Sequence, residues 1–333
     1  MNKSILMMMV LALLLISCSK DDAEEVQPPQ PQKVTQWECI LFGAYPANEV
    51  VSGRFDAVDD YALMDGDVIR DAALYSQLEH AEWTNDDTEI GGKRYHRINA
   101  AGTVSHSDSR AQHYRWTDHA TWHYFAYAPI KWRILKQTGD KAVLLADRMP
   151  DTCPFNDKYT DTSWSDCLLR RWLNNEFMNR AFTEKEIDAI EVTDVKNDAN
   201  YYFGTHCGPD TQDRLFVLSE SEAFSSPLAT EYGFSNSDSG NDPARRFRST
   251  LYAKCRGAWW SPVKGFLGVS FWFMRSIGYT KANVVYVGES GDTYNRGIVV
   301  TCNDAAVLPA LTLNLSKADY LPAEPVRSTD IMQ

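Results

Sequence analysis

The chain has 333 residues, 44% of them hydrophobic and 12% aromatic, with a formal net charge of -12. That apolar content is enough for a sizeable core and excludes disorder throughout. The acidic balance excludes sequence-independent binding to DNA or RNA, which needs a basic face, so no nucleic-acid partner is expected.

Residues 1–17 read as a lipoprotein signal peptide. Lys3 supplies the positive start, and Ile5 to Ile16 is an apolar run too short to span a bilayer comfortably. Leu15-Ile16-Ser17-Cys18 closes it and resembles a bacterial lipobox, which makes Cys18 the lipid attachment site and the first mature residue. Residues 18–36 form a tether: an acidic run, Asp21-Asp22-Ala23-Glu24-Glu25, then a Pro and Gln stretch that acts as a semi-extended spacer. The acidic run resembles the export tag that sends Bacteroidetes lipoproteins to the outer face of the outer membrane. The expected location is therefore the outer membrane, surface-exposed, held through the N-terminal lipid.

Residues 37–315 are expected to form a single globular domain. Within Trp37 to Val50, Cys39 to Pro46 predicts a short first strand, ended by Gly43 and Pro46. Asp56 to Glu82 is acidic, and the positions of Ala62, Leu63, Ile69, Ala73, Leu74 and Leu78 fit an exposed helical segment. Ile90 to Ile98 reads as a hairpin edge turning at Gly91-Gly92. Gly102 to His123 is polar and reads as a surface insertion.

Tyr124 to Ala146 is the best-defined stretch. Ile130, Trp132 and Ile134 alternate with Lys131, Arg133 and Lys136, predicting one buried and one solvated strand face. Thr138-Gly139-Asp140 turns the chain into the apolar return strand Ala142 to Ala146. Asp161 to Asn179 predicts a helix with Leu168, Leu169, Trp172, Leu173 and Phe177 on one face and Ser163 or Ser165 as its cap. Capping boxes start at Thr183 and at Ser219, the second after a strand over Arg214 to Leu218.

Ser225 to Asp242 is expected as a long loop. Short strands follow at Gly268 to Arg275, Asn283 to Gly288, Gly297 to Cys302 and Ala306 to Leu315, and the polar tail 316–333 is expected to fray. No fixed-period repeat is present, which argues against a solenoid or propeller.

Several of these stretches together resemble a bacterial family of unknown function, common in gut bacteria. They include Gly43-Ala44-Tyr45-Pro46, Pro129-Ile130-Lys131-Trp132-Arg133-Ile134-Leu135, Pro154-Phe155-Asn156, Leu169-Arg170-Arg171-Trp172-Leu173-Asn174 and Leu215-Phe216-Val217-Leu218-Ser219. The likeness runs over about residues 39–315. Where family members read WLRSPG, this chain has Trp272-Phe273-Met274-Arg275-Ser276-Ile277-Gly278; where they read VRPAL it has Val307-Leu308-Pro309-Ala310-Leu311, without the Arg. The resemblance extends to C-type-lectin-like folds and the formylglycine-generating enzymes. It implies an α+β domain with a mixed, mostly antiparallel sheet, two or three short helices and a C-type-lectin-like topology.

Beyond Cys18, the chain holds Cys39, Cys153, Cys167, Cys207, Cys255 and Cys302, an even set that permits disulfides but equally fits buried free thiols. No C-x-x-C pair points to zinc or thioredoxin-type chemistry. His119 and His123 stand four apart, a spacing that would share a helix face, yet without H-E-x-x-H they are weak metal ligands and surface or packing roles are the default. Asn236 to Asp242 carries oxygens for calcium, but reads better as a polar loop.

Neither G-x-S-x-G nor a phosphate-binding or dinucleotide Gly pattern is present, and no cofactor is expected. Trp259 and Trp260, between Gly257 and Pro262, are candidates for stacking on a sugar ring, with Arg275 as a further ligand-binding candidate. The expected function is a non-catalytic surface module binding glycan or protein. An enzyme of formylglycine-generating or metal-dependent hydrolase type, or a structural envelope component, are the alternatives.

Overall fold

The computed structural model describes residues 34–103, 113–116, 118, 120–237 and 242–330. The signal peptide, Cys18 and the tether up to Lys33 lie outside the described residues, as do His106, His119 and positions 238–241.

From the long strand β1 (Gln36–Val51) the chain passes through β2 (Val68–Arg70) and helix α1 (Ala72–Glu79) to the hairpin of β3 (Asp87–Ile90) and β4 (Lys93–Ile98). Next come β5 (His123–Thr138), its return β6 (Lys141–Ala146) and the short β7 (Asp151–Thr152). A helical run follows, α2 (Leu168–Trp172) and α3 (Met178–Ala181) joined by one π turn at Leu173–Phe177, then α4 (Glu184–Ala189). Strands β8 (Thr193–Val195), β9 (Thr211–Asp213) and β10 (Leu215–Phe216) lead to α5 (Glu220–Ala223) and α6 (Pro227–Glu231). After β11 (Phe247–Arg248), α7 (Leu251–Arg256) and β12 (Val269–Ser270), the chain forms β13 (Trp272–Ile277), β14 (Asn283–Val287) and β15 (Thr293–Val299). It ends in β16 (Ala306–Val307), β17 (Ala310–Asn314) and β18 (Leu321–Arg327).

The result is a mixed α+β architecture with mostly antiparallel sheets. One sheet of nine strands runs β10-β17-β6-β5-β1-β18, with β2 on β1 and the β3–β4 hairpin on β5; a second, of five strands, runs β15-β14-β13-β16-β7. Parallel pairs occur where β1 meets β2 and β13 meets β16.

The hairpin of β5 and β6 forms in the expected place, with Thr138 opposite Lys141 around Gly139. Its simple alternation does not hold. Trp132 and Arg133 are consecutive and both buried, so the sheet is covered on both faces here. The Arg133 guanidinium lies over the rings of Trp37 (4.8 Å) and Phe247 (4.3 Å), and its Nε donates to Asp147 at 2.7 Å. A bulge between Ile134 and Lys136 then changes the phase, so that Leu135 is buried and Ile134 only half-buried.

Gly43 and Pro46 do not end the first strand. They fall at two register shifts, and β1 continues to Val51. Gly43 takes φ +67°, and a Cβ there would stand 2.4 Å from the Phe182 ring, so the bulge lets the sheet approach that ring. Nor does the tail fray: β18 pairs with the first half of β1, Val326 opposite Trp37. Without it that half of β1 would expose an unpaired edge.

The helix expected over Asp161 to Asn179 starts later, at Leu168. Cys167 Sγ accepts from Arg170 N at 3.4 Å, while Ser163 and Ser165 donate to Asp166 in the preceding turn. Both capping boxes form, with Glu186 accepting from Thr183 N (2.7 Å) and Glu222 from Ser219 N (2.8 Å). The segment expected as an exposed helix from Asp56 to Glu82 holds a 3-10 turn, β2 and α1, and the Ser225 to Asp242 loop contains α6, which Ser226 caps and Pro227 starts. Helices are thus more numerous than two or three. All six described cysteines are free thiols, five of them buried.

Candidate functional site

At the C-terminus of α7, Gly257 takes φ +122° and turns the chain into the non-helical segment that carries Trp259 and Trp260. The two neighbours diverge. Trp260 is fully buried in the core, whereas Trp259 is partly exposed, its backbone N–H held by the Asp304 carbonyl at 2.9 Å. The tandem pair is therefore not one platform.

Arg275 is corrected as well: it lies 1% exposed on β13 and its donors are spent internally. Nε and Nη2 donate to the Lys196 carbonyl at 3.1 and 2.9 Å, Nη1 donates to the Val217 carbonyl at 2.7 Å, and the guanidinium pairs with Glu222. It pins the start of α5 to the five-stranded sheet.

Trp259 opens onto a cleft of about 620 Å³ whose wall comes from β14 and β15. The rings follow one another: Trp259 to Phe271 at 5.9 Å, Phe271 to Tyr286 at 5.8 Å, and Tyr286 to Tyr294 at 4.5 Å with planes 1° apart. Tyr286 and Tyr294 stack because they are direct cross-strand partners in the β14–β15 register. Tyr294 remains 43% exposed, so the end of this wall is presented to solvent.

Polar groups in the same cleft come from Glu289, Asn303 and Asp304. Burial, and then the neighbouring Tyr294, push the Tyr286 hydroxyl up to about 12, which keeps it a neutral donor. Cys302 also lines the cleft and donates to Asp304 Oδ1 at 3.0 Å; burial first, and then Asp304, push its thiol up to about 12. A thiol so held is neutral near pH 7 and a poor nucleophile. Cys255 is fully buried and its thiol is pushed up by burial. The cleft is suited to hold a flat-faced polar molecule by stacking and hydrogen bonds.

The histidine pair is divided by what the structure describes. His119 lies outside the described residues; His123 Nδ1 sits 2.7 Å from Glu49 Oε1 and 2.6 Å from the Tyr114 hydroxyl, a packed polar cluster at the start of β5. Among the described residues no group of three or more His, Cys, Asp or Glu side chains is placed to hold a metal. Of the polar stretch Asn236 to Asp242, residues 236, 237 and 242 are described, and the two Asp242 side-chain oxygens accept from Ala244 N and Ser235 N at 2.9 and 2.8 Å.

Sequence reasoning missed Phe271, Tyr286, Tyr294, Glu289 and Asp304. One signal was available: Tyr286 and Tyr294 are placed symmetrically about Ser290 in a segment with strand character on both sides. That is the pattern of two rings facing each other across a hairpin.

A family model described as a domain of unknown function, DUF6273, matches residues 139–315. The span starts in the β5–β6 turn and takes in the whole aromatic wall. No curated protein and no solved structure matches the chain.

Proposed function

Since the chain belongs to the DUF6273 family, whose description names no activity, we propose from its own geometry that it is a non-catalytic glycan-binding module. The observation that carries this reading is the four-ring wall from Trp259 to Tyr294 beside Glu289, Asn303 and Asp304. Flat rings match the C–H faces of a pyranose, and carboxylate and amide oxygens accept from sugar hydroxyls. The neutral thiol of Cys302 supports binding over covalent chemistry. A mixed α+β chain with the sequence likeness described above is read as C-type-lectin-like, with the aromatic cleft as its ligand face.

The module is read as lipid-anchored through Cys18 and displayed on the outer membrane, which would place the cleft among extracellular glycans. The Leu15-Ile16-Ser17-Cys18 motif and the acidic run behind it support this. Cys18→Ala should move the protein from the membrane to the soluble fraction; a variant that stays membrane-bound would defeat the anchor.

Glycan binding is tested on a printed panel of neutral and acidic oligosaccharides, followed by titration of whichever bind. Trp259→Ala and Tyr294→Ala should each weaken binding about tenfold, the equivalent of ~1.4 kcal/mol for one lost stacking ring. An empty panel, or hits indifferent to both substitutions, would overturn the reading.

A further inference from the structure

A second cavity, about 470 Å³, lies where β4, the α2–α3 helical run, β7 and α7 converge, and its character is ionic rather than aromatic. Most of its charges are matched. Asp151 accepts from the Tyr45 hydroxyl at 2.7 Å and from Arg256 Nε at 3.1 Å, and Asp86 accepts from Arg97 Nε at 2.9 Å. Glu176, the remaining acid of the lining, is solvent-exposed.

Arg180 is the exception. Its Nη1 lies 3.0 Å from each ring nitrogen of His96, and among the described residues no carboxylate pairs with it. His96 cannot supply the missing negative charge. Its Nδ1 lies 2.8 Å from Asp87 Oδ1, which also accepts from the Tyr127 hydroxyl at 2.9 Å, so that acid is already engaged by two other groups. Burial works against ionising Asp87, yet the hydrogen bonds from His96 and Tyr127, with the charge of Arg180 farther off than an ion pair, hold its carboxyl below the ordinary value.

A second donor is also unused. Tyr252 is 3% exposed and lines the same cavity, and its hydroxyl makes no hydrogen bond among the described residues. The half-buried Arg180 guanidinium, which makes no ion pair, and the Tyr252 hydroxyl both open into the cavity with donor capacity to spare, and an acceptor bound there would gain hydrogen bonds from both.

The π turn explains how the helix serves this wall. Trp172, Glu176 and Arg180 all line the cavity at intervals of four residues. In a straight α-helix such positions drift by about 40° per step; one wider turn at Leu173–Phe177 reduces the drift and keeps them on one side.

We propose that this cavity binds a small monocarboxylate, its carboxylate on the Arg180 guanidinium with the Tyr252 hydroxyl as second donor. A single negative charge matches the single unpaired cation. A phosphate dianion would add a charge with no partner beside Asp86, Asp151 and Glu176, and a polyanion would meet the overall charge of -12. The indole rings of Trp122 and Trp172 line the same cavity and suit a ring-shaped body attached to the carboxylate. The carboxylate could belong to a sugar acid or to an aromatic acid.

Calorimetric titration with D-glucuronate, with benzoate and with D-glucuronamide tests the site and separates the two sources. Saturable binding of glucuronate or benzoate, without binding of the neutral amide, is the expected result, and the better of the two acids identifies the body. Arg180→Gln should weaken that binding at least about tenfold, and Tyr252→Phe, which removes only the hydroxyl, by about fivefold. If Arg180→Gln fails to fold, Tyr252→Phe and the amide control decide. The proposal is overturned if neither acid binds, if the amide binds equally well, or if the folded variants bind like the parent protein. None of these outcomes depends on the aromatic cleft.

Discussion

The aromatic cleft and the ionic cavity are built in opposite ways. The cleft takes its exposed wall from one hairpin, β14–β15, in which Tyr286 and Tyr294 meet because they are register partners a few residues apart. The cavity draws its charged groups from segments far apart in the chain: Asp151 on β7 is bound by Tyr45 of β1 and Arg256 of α7. Rings on a hairpin can be trimmed one at a time without exposing anything costly. Charges gathered from distant segments are held only by each other, so removing one leaves another buried and unpaired. Helix α7 is the seam between the two, carrying Tyr252 and Arg256 on the ionic side and leading through Gly257 to Trp259 on the aromatic side.

The largest expected effect breaks the ionic side. Arg256→Ala leaves Asp151, whose side chain is 3% exposed, without its counter-ion and should cost about 3–5 kcal/mol in urea unfolding. A loss below about 1 kcal/mol would mean that the network does not hold β7 to α7, and the contrast would fail.

The seam itself gives an intermediate effect with a definite pH dependence. Lys254 is fully buried on α7, donates to the Ser249 carbonyl at 2.6 Å, and burial, with Arg148 nearby, lowers its ammonium from 10.5 to about 7. In the unfolded chain this group stays protonated up to its ordinary value, so the unfolded state binds more protons between pH ~7 and ~10.5. The cost of burying it is therefore full below pH 7 and fades as pH rises through that window. Lys254→Met should raise the melting temperature at pH 6, by about 1–3 kcal/mol of stability, and by clearly less at pH 10. An equal gain at both pH values would show that the lysine is not carrying a buried charge.

The smallest effect belongs to the aromatic side. Tyr294→Ala, at a side chain 43% exposed, should change unfolding stability by less than about 1 kcal/mol while weakening glycan binding. A larger loss of stability would make Tyr294 part of the fold rather than of a ligand surface.

Local signals were legible in the sequence to the extent that their physics is local. The β5–β6 hairpin, the Gly91-Gly92 turn and the capping boxes at Thr183 and Ser219 formed where residue pattern and hydrogen-bonding capacity placed them. Arg133 shows the limit. Its charge and its place in an alternating run point to solvent, but the large sheet is covered on both faces at that point, and Trp37, Phe247 and Asp147 supply rings and a counter-ion that no neighbouring residue announces. Trp259 and Trp260 show it again: adjacent and chemically identical, they differ only in which side of the segment the core occupies.

By itself, then, the sequence determined the α+β class and most of the strand and helix sites, since propensity, periodicity and caps act over a few residues. Tertiary structure alone decided that β1 runs through Gly43 and Pro46, that the tail closes its edge as β18, and that Arg275 serves the fold. It also decided which tryptophan faces a cleft and where a guanidinium is left without a carboxylate. Burial and charge balance depend on what the rest of the chain brings to a point in space, and that is a sum over distant segments.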